Sequence, residues 1–126
     1  MSRLTIRIDF GTGAALGPGK VRLLELVDET GSIRKAAAGM NMSYRRAWLL
    51  LKALREAFGA PLVVTATGGK AGGGASLTAL GRFVVGRYRV LERAAAKAGN
   101  PSMVALERRL APISKGKALP RKRIQR

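Results

Sequence analysis

The first ten residues alternate between apolar and polar side chains. The apolar positions are Leu4, Ile6, Ile8 and Phe10. Because successive side chains of a strand point to opposite faces, this period of two predicts a half-buried strand over residues 4–10. Residues 11–19 then hold four glycines and one proline, a composition that ends the strand and predicts a flexible connection.

Apolar residues at helical spacing follow in three segments. We predict a first helix over residues 18–30 and a second helix over residues 33–40, which Ser32 caps. Ser43 is the N-cap candidate of a third helix, which ends at Gly59. Only a short turn separates the second helix from the third, as in a helix-turn-helix motif.

The chain continues with a hairpin and a long helix. Residues 62–67 form a β-rich segment, and the short apolar segment 75–77 follows a glycine-rich loop over residues 68–74. Thr78 opens a helix that we expect to end before Gly99-Asn100-Pro101. Its apolar stripe consists of Leu80, Val84, Tyr88, Leu91 and Ala95, supported by Phe83 and Val90.

This order of elements predicts an α+β fold that is mainly α, a winged helix-turn-helix in which a two-stranded wing precedes a long fourth helix. We assign residues 1–98 to this domain. Six basic residues and no acid follow Pro112, so residues 99–126 are expected to form a short helix and a disordered basic tail. The stripe of the long helix exceeds what one domain covers, which predicts a homodimer through residues 78–98.

The charge of the chain indicates its partner. There are 24 Lys and Arg residues against seven Asp and Glu residues, a formal net charge of +17 at pH 7. Such an excess points to a polyanion, with nucleic acid ahead of an anionic membrane surface. No apolar run is long enough to span a membrane and no signal peptide is present, so we expect a cytoplasmic protein without a membrane partner.

The composition also argues against catalysis. The chain contains neither Cys nor His, which removes thiol nucleophiles, imidazole bases and the commonest ligands of metal sites. The seven acids are scattered at positions typical of helix surfaces, so a catalytic pair of carboxylates is not expected. We therefore predict no enzyme activity, no metal site and no cofactor.

Two glycine-rich stretches approach nucleotide-binding motifs without completing them. When Gly69-Lys70 is aligned with the Gly-Lys pair of the phosphate-binding loop, Val64 stands where that motif requires glycine, and Ala71 stands where it requires Ser or Thr. In residues 11–16, Leu16 occupies the third glycine position of the dinucleotide fingerprint, and no parallel βαβ unit surrounds it. We interpret the first loop as a wing along the minor groove of DNA, with a plain hairpin tip as the alternative.

We predict double-stranded DNA contacts at three places. A recognition helix presents its first residues to the major groove, and here these are Ser43, Tyr44, Arg45 and Arg46. The start of the second helix adds Ser32, Arg34 and Lys35. The wing adds Thr67, Gly69, Lys70 and Gly72. An arginine in the third helix can bind guanine in a bidentate manner or hold a phosphate, and ordinary solvated charge is the alternative.

Two aromatic residues of the third helix are open to more than one interpretation. Trp48 is the only tryptophan, and proteins that bind single strands stack bases on such rings. Its position one turn into the helix favours packing against the preceding helix, and we predict a core position. Tyr44 lies at the exposed start of the helix, where a DNA contact and a solvated position are equally compatible with the sequence.

The residues resemble the ModE-type molybdate-responsive transcription regulators, whose N-terminal domain is a winged helix related to that of LysR-type regulators. The resemblance spans residues 19–91. It is carried by Gly31-Ser32-Ile33, Ala36-Ala37, the run Met42-Ser43-Tyr44-Arg45-Arg46-Ala47-Trp48, Leu62-Val63, the loop 68–74, and Leu77-Thr78 with Gly81. The resemblance implies a dimeric DNA-binding domain with residues 43–46 in the groove and the loop around Lys70 as the wing.

The resemblance also raises molybdate as an effector. Members of the family hold this oxyanion in C-terminal β-rich domains, which nothing after Leu110 builds, so we expect no direct molybdate binding by this chain. The leading hypothesis is a sequence-specific double-stranded DNA-binding transcription regulator linked to molybdenum metabolism. The alternative is a non-specific architectural or RNA-binding protein, because so basic a chain binds any polyanion. An enzyme that binds a phosphorylated or oxyanion substrate through the glycine loop is a third hypothesis.

Overall fold

Four helices and two small antiparallel sheets make up the computed structural model, which describes residues 2–66 and 74–112. The elements in chain order are β1 Ile8–Asp9, β2 Ala15–Leu16, α1 Pro18–Thr30, α2 Ile33–Gly39, α3 Tyr44–Phe58, β3 Val63–Ala66, β4 Gly74–Leu77 and α4 Ala79–Glu107. Strand β1 pairs with β2, and β3 pairs with β4. The predicted mainly α architecture is confirmed. In the described residues no helix is long and apolar enough to cross a membrane.

The helix ends follow the polar residues and glycines of the sequence. The side-chain oxygens of Ser32, Ser43 and Thr78 each accept a hydrogen bond of 3.0 Å from the backbone N–H three residues later. Each bond satisfies one of the amide groups that a helix start leaves without a partner. Gly31 and Gly59 close α1 and α3 with φ of 71° and 75°, a conformation that costs glycine little. The predicted caps of α2, α3 and α4 are therefore confirmed.

Two apolar clusters share the interior. The first cluster joins α1, α3 and α4 to the strands through Leu16, Val21, Leu24, Leu54, Leu62, Leu77, Val84 and Tyr88. The second cluster packs α1, α2 and α3 together through Leu23, Val27, Ile33, Ala36, Ala37 and Ala47. The three alanines in the second cluster are small enough to let the backbones of α2 and α3 come close to each other.

Tyr88 connects the N-terminal segment to α4. Its side chain is 1% exposed, and its hydroxyl group donates a 2.7 Å hydrogen bond to the backbone carbonyl of Ile6. Burial raises the pKa of this phenol above its usual value. Around it the N-terminal residues keep the predicted period of two, with Leu4, Ile6 and Ile8 partly buried and the residues between them exposed.

The first strand and the connection after it differ from the prediction. Only Ile8–Asp9 forms a ladder, and its partner, Ala15–Leu16, lies in the segment that we expected to be a flexible connection. Gly13 has φ of 95°, and the backbone N–H of Phe10 donates a 2.8 Å bond to the carbonyl of Ala14. Gly13 thus helps to close a tight hairpin between β1 and β2.

The predicted end of the long helix at Gly99-Asn100-Pro101 is wrong. Helix α4 continues through Pro101 to Glu107, so residue 98, where we divided the chain, lies within a helix. Proline removes one backbone hydrogen bond, but the N-terminal segment packs along this half of α4. The backbone N–H of Ser2 donates a 3.1 Å bond to Glu107, and the side chain of Leu4 lies 4.0 Å from the Cβ position of Gly99.

An ion-pair cluster joins α1 to α4. Glu25 accepts two hydrogen bonds of 2.9 and 3.0 Å from Arg89 and one of 3.2 Å from Arg22. Arg89 also donates a 2.6 Å bond to Glu92. The hydrogen bonds from Arg89 are the main cause that lowers the pKa of the Glu25 carboxyl below its usual value. This bidentate contact fixes the angle between the two helices.

Glu25→Gln is expected to lower the free energy of unfolding at neutral pH by roughly 1–3 kcal/mol, because it removes the charge that binds Arg89. The folded-state pKa is lowered, so this stabilisation is present above the ordinary pKa of 4.5 and is lost as the pH falls through the lowered value. Chemical denaturation of the wild type and the Glu25 variant at pH values from about 7 down to about 3 measures the difference. Glu29→Gln, which removes a single exposed contact, is the control; equal losses in the two variants would contradict the assignment.

Gly81→Ala tests the contact between α4 and β3. A Cβ at Gly81 would overlap the backbone oxygen of Leu62, the residue just before β3, and this oxygen already accepts a 2.9 Å bond from the N–H of Thr78. We expect a loss of about 1–3 kcal/mol in thermal or chemical unfolding, the usual cost of overpacking. Gly19→Ala, at a helical position with open space around it, should leave stability unchanged or raise it. An unaffected Gly81 variant would show that α4 does not sit this close to β3.

Candidate nucleic-acid interface

The second apolar cluster fixes how α3 is presented. Ala47 is buried on one side of α3 against Ala36 and Ala37 of α2. Between the helices Asn41 adopts φ of 55°, a left-handed conformation that asparagine tolerates better than most residues. The backbone N–H of Met42 donates a 3.1 Å bond to Ala37, which closes the turn. As a result the first turn of α3 projects from the protein surface.

The surface of α2 and α3 is strongly cationic. Between residues 31 and 55 the chain has six cationic residues and no acidic one. All six side chains are exposed, namely Arg34, Lys35, Arg45, Arg46, Lys52 and Arg55. The only acid of α3 is Glu56. A polyanion that approaches this face therefore meets attraction along most of the length of α3.

The structure brings several of the predicted contact residues together. The guanidinium carbon of Arg34 lies 4.9 Å from the centre of the Tyr44 ring, so α2 and α3 meet through a cation–π contact. The hydroxyl oxygens of Ser32 and Ser43 accept bonds from backbone N–H groups as N-caps, which leaves each O–H able to donate to a phosphate. Lys35 is exposed on α2.

Arg45 and Arg46 line a separate recess at the start of α3, together with Ser43, Leu49 and Leu50. Their guanidinium groups carry donors in the fixed arrangement that matches guanine or phosphate oxygens. The predicted recognition residues therefore share one end of one helix.

The hairpin that leads to the predicted wing is attached to the same region. Strands β3 and β4 pair from Val63 with Leu77 to Ala66 with Gly74. The backbone N–H of Ala75 donates a 2.8 Å bond to the carbonyl of Gly31, just before α2. The predicted wing contacts Thr67, Gly69, Lys70 and Gly72 lie outside the described residues and stay a prediction.

The prediction of a core position for Trp48 is wrong. Its side chain is 46% exposed on α3, while the neighbouring Ala47 is fully buried. The reason is geometric, because α3 buries the face that carries Ala47 and Leu54, and Trp48 lies about 100° around the helix from Ala47. Trp48 instead points to the gap between α3 and β3, where it lies with Leu51, Lys52, Arg55 and Thr65.

Lys52 and Arg55 were not among the residues that we selected from the sequence. The signal was present in the spacing, since residues 45, 48, 52 and 55 recur at intervals of three and four and therefore share one face of a helix. Sequence reasoning stopped at the first turn of α3, because the groove-entering end of a recognition helix usually supplies the base contacts. Within the described residues no group of three or more potential metal ligands occurs.

A family model described as "Bacterial regulatory helix-turn-helix protein, lysR family" matches residues 19–82. This match covers just over half of the 126 residues. The chain belongs to the lysR family of bacterial regulatory helix-turn-helix proteins. The match starts in α1 and ends in the first turn of α4, so it contains both the helix-turn-helix and the hairpin. Because the family is one of regulators, it supports our prediction that the chain is not an enzyme.

The resemblance to ModE-type regulators is confirmed. The chain is 40% identical over 92 residues to the molybdenum transport protein ModE of Azotobacter vinelandii. The aligned residues cover 73% of this chain and 33% of that protein. It is 40% identical over 78 residues to the transcriptional regulator ModE of Haemophilus influenzae, covering 62% of this chain and 31% of the relative. This lysR-family chain therefore matches about a third of the length of these relatives.

A solved structure shares the fold. The CbnR_DBD–DNA complex superposes with a TM-score of 0.54 at 23% sequence identity, covering 70% of this chain and 95% of the other. The lysR-family match and this superposition confirm the predicted winged helix-turn-helix fold. At this level of identity the likeness concerns the fold alone.

Proposed function

We propose that the chain is a sequence-specific double-stranded DNA-binding regulator of transcription that acts in the cytoplasm. The observation that carries the proposal is the exposed cationic surface of α2 and α3, in which Glu56 is the only acid, on a winged helix-turn-helix. In such folds the second helix of the pair enters the major groove. Membership of a bacterial regulatory family supports the same conclusion.

Each part of the surface has a role in this proposal. Arg45 and Arg46 face the major groove and read base edges, with Tyr44 beside them. Ser32, Ser43, Arg34 and Lys35 bind the flanking phosphates, which set the register of the domain on the duplex. The wing residues Thr67, Gly69, Lys70 and Gly72 follow the minor groove.

We further propose that the regulated genes serve molybdenum uptake or use. The support comes from the relatives, which are named a molybdenum transport protein and a transcriptional regulator. No residue of the described chain is proposed to bind molybdate, so an effect of this ion on transcription would have to reach the DNA-binding domain from elsewhere. Occupancy of genomic sites with and without molybdate measures this connection.

The chain is proposed to act as a homodimer through α4. Phe83, Val90 and Leu91 of this helix are exposed, and Phe83 is the most so at 62%. They recur at intervals of seven and eight residues, so they lie along one face. Such an apolar face is covered economically by a second copy related by a two-fold axis, which also pairs two recognition helices for two half-sites.

Arg45→Ala and Arg46→Ala test the recognition helix. Each is expected to cost about 1–3 kcal/mol on a preferred genomic fragment and to relax the preference over random duplex, if the residue reads a base. Fluorescence anisotropy of labelled fragments over a salt series measures both quantities. Arg93→Ala removes an exposed arginine of α4 as the charge-matched control. If both variants bind as the wild type does, α3 is not the recognition helix.

The same salt series separates the second candidate function. The net charge of +17 favours a non-specific architectural or RNA-binding protein as well. That protein would bind all fragments equally with a steep salt dependence, and the regulator would keep a preferred fragment at the salt concentration where random duplex is released.

Phe83→Ser tests the dimer. The variant removes the most exposed aromatic side chain of the proposed contact, so we expect it to shift the chain toward monomer in sedimentation velocity across a concentration series. Leu106→Ser, at an equally exposed position on a different face of α4, should leave the dimer intact. A wild-type protein that stays monomeric throughout the series would contradict the proposal.

A further inference from the structure

A groove separates α3 from the β3–β4 hairpin. Its larger part, of about 260 Å³, is lined on the helix by Trp48, Leu51, Lys52 and Arg55 and on the other side by Leu62, Val63 and Thr65. A second part, of about 200 Å³, continues past Ser32, Arg34 and Tyr44 to Gly74 and Ala75. Ile33 and Thr65 line both parts, so the two recesses adjoin each other. We call the two recesses together the α3–β3 groove.

The α3–β3 groove has an apolar floor and a cationic edge. Leu51, Leu62 and Val63 supply apolar surface, and no acidic residue lines either part. The edge carries three cations, Arg34, Lys52 and Arg55. A sugar–phosphate strand has the complementary arrangement, because its deoxyribose rings are largely apolar and its phosphates are negative.

The length of α3 places this groove beside the duplex backbone. Lys52 and Arg55 follow Arg45 by seven and ten residues, which is roughly 10 and 15 Å along a helix. The major groove is only about 12 Å wide. If Arg45 lies over the base edges, Lys52 and Arg55 therefore reach or pass the rim of the groove, where the phosphates lie.

We propose that the α3–β3 groove seats one sugar–phosphate strand of duplex DNA, with Trp48 packed against deoxyribose and Lys52 and Arg55 paired with phosphates. The proposal rests on the proposed function and extends the DNA contact along α3 beyond its first turn. Trp48 shares its recess with Thr65 on the strand side, whereas Arg45 and Arg46 line a different recess. Base reading is thus assigned to the first turn of α3, and contact with the backbone to the later turns of the face that begins at Arg45.

The ion pair at this end of α3 does not block the groove. The ammonium group of Lys52 lies 2.8 Å from a carboxylate oxygen of Glu56, and the two side chains are 50% and 64% exposed. An exposed pair of this kind contributes little to stability, so a phosphate can replace Glu56 as the partner of Lys52. Glu56 then marks the end of the contact, because its charge repels the next phosphate.

The only tryptophan of the chain makes the proposal directly measurable. The full chain is titrated with a fluorescein-labelled random-sequence DNA duplex at low salt; anisotropy reports binding, and acrylamide quenching reports access to Trp48. We expect the quenching constant to fall by at least about twofold when the anisotropy saturates, because the strand covers the indole. An unchanged quenching constant at saturation overturns the groove proposal and leaves DNA binding intact. Absence of an anisotropy change overturns the proposed function itself.

Variants assign the roles within the groove. Lys52→Gln and Arg55→Gln are each expected to lower the slope of log affinity against log salt by about one, equally on preferred and random duplexes. Arg93→Gln is the matched control. Trp48→Ala should weaken binding several-fold on both duplexes without a change in sequence preference, and Trp48→Phe should restore most of the affinity. Loss of preference in Trp48→Ala, or displacement of the duplex by single-stranded RNA of the same length at lower concentration, would overturn the assignment.

Discussion

The close contact between α2 and α3 is the constraint on which the proposed DNA-binding surface depends. Ala36 and Ala37 of α2 and Ala47 of α3 are buried together beneath Leu23 and Val27 of α1. A larger side chain at this crossing would push the helices apart, because protein interiors have almost no free volume. With the crossing fixed, the first turn of α3 is exposed and the hairpin lies close enough to form the second wall of a groove.

Charge is divided between two regions of the molecule. In the described chain three acids of α1 and α4 contact arginines of these two helices, namely Glu25, Glu29 and Glu92 with Arg22 or Arg89. The ion pairs found there include neither Arg45 nor Arg46. Ion pairs thus join α1 to α4. In the described residues Lys52 pairs with Glu56, and the other cations of α2 and α3 take part in none of the ion pairs found there. Residues 31–58 hold six cations and one acid, so the surface that presents α3 has a net charge of +5.

Local rules predicted the elements well and long-range contacts poorly. The caps at Ser32, Ser43 and Thr78 were predictable because each depends on atoms only three residues apart. The continuation of α4 through Pro101 was not, since it involves contacts with residues near the other end of the chain. The prediction for Trp48 was wrong for the same reason. Its burial depends on which face of α3 packs against α2, and the apolar stripe of α3 is broad enough to be compatible with several such faces.

The attachments of the hairpin have a consequence for how two half-sites would be read. The backbone N–H of Ala75 donates to the carbonyl of Gly31, which lies just before α2. The backbone N–H of Thr78, which lies just before α4, donates to the carbonyl of Leu62. The tight approach of Gly81 to Leu62 leaves this junction little freedom. Helix α3, the hairpin and the first turns of α4 therefore move together. If α4 pairs with a second copy, the distance between the two recognition helices is set by the contact along α4 and not by a flexible linker, so the spacing of half-sites becomes a property of that helix.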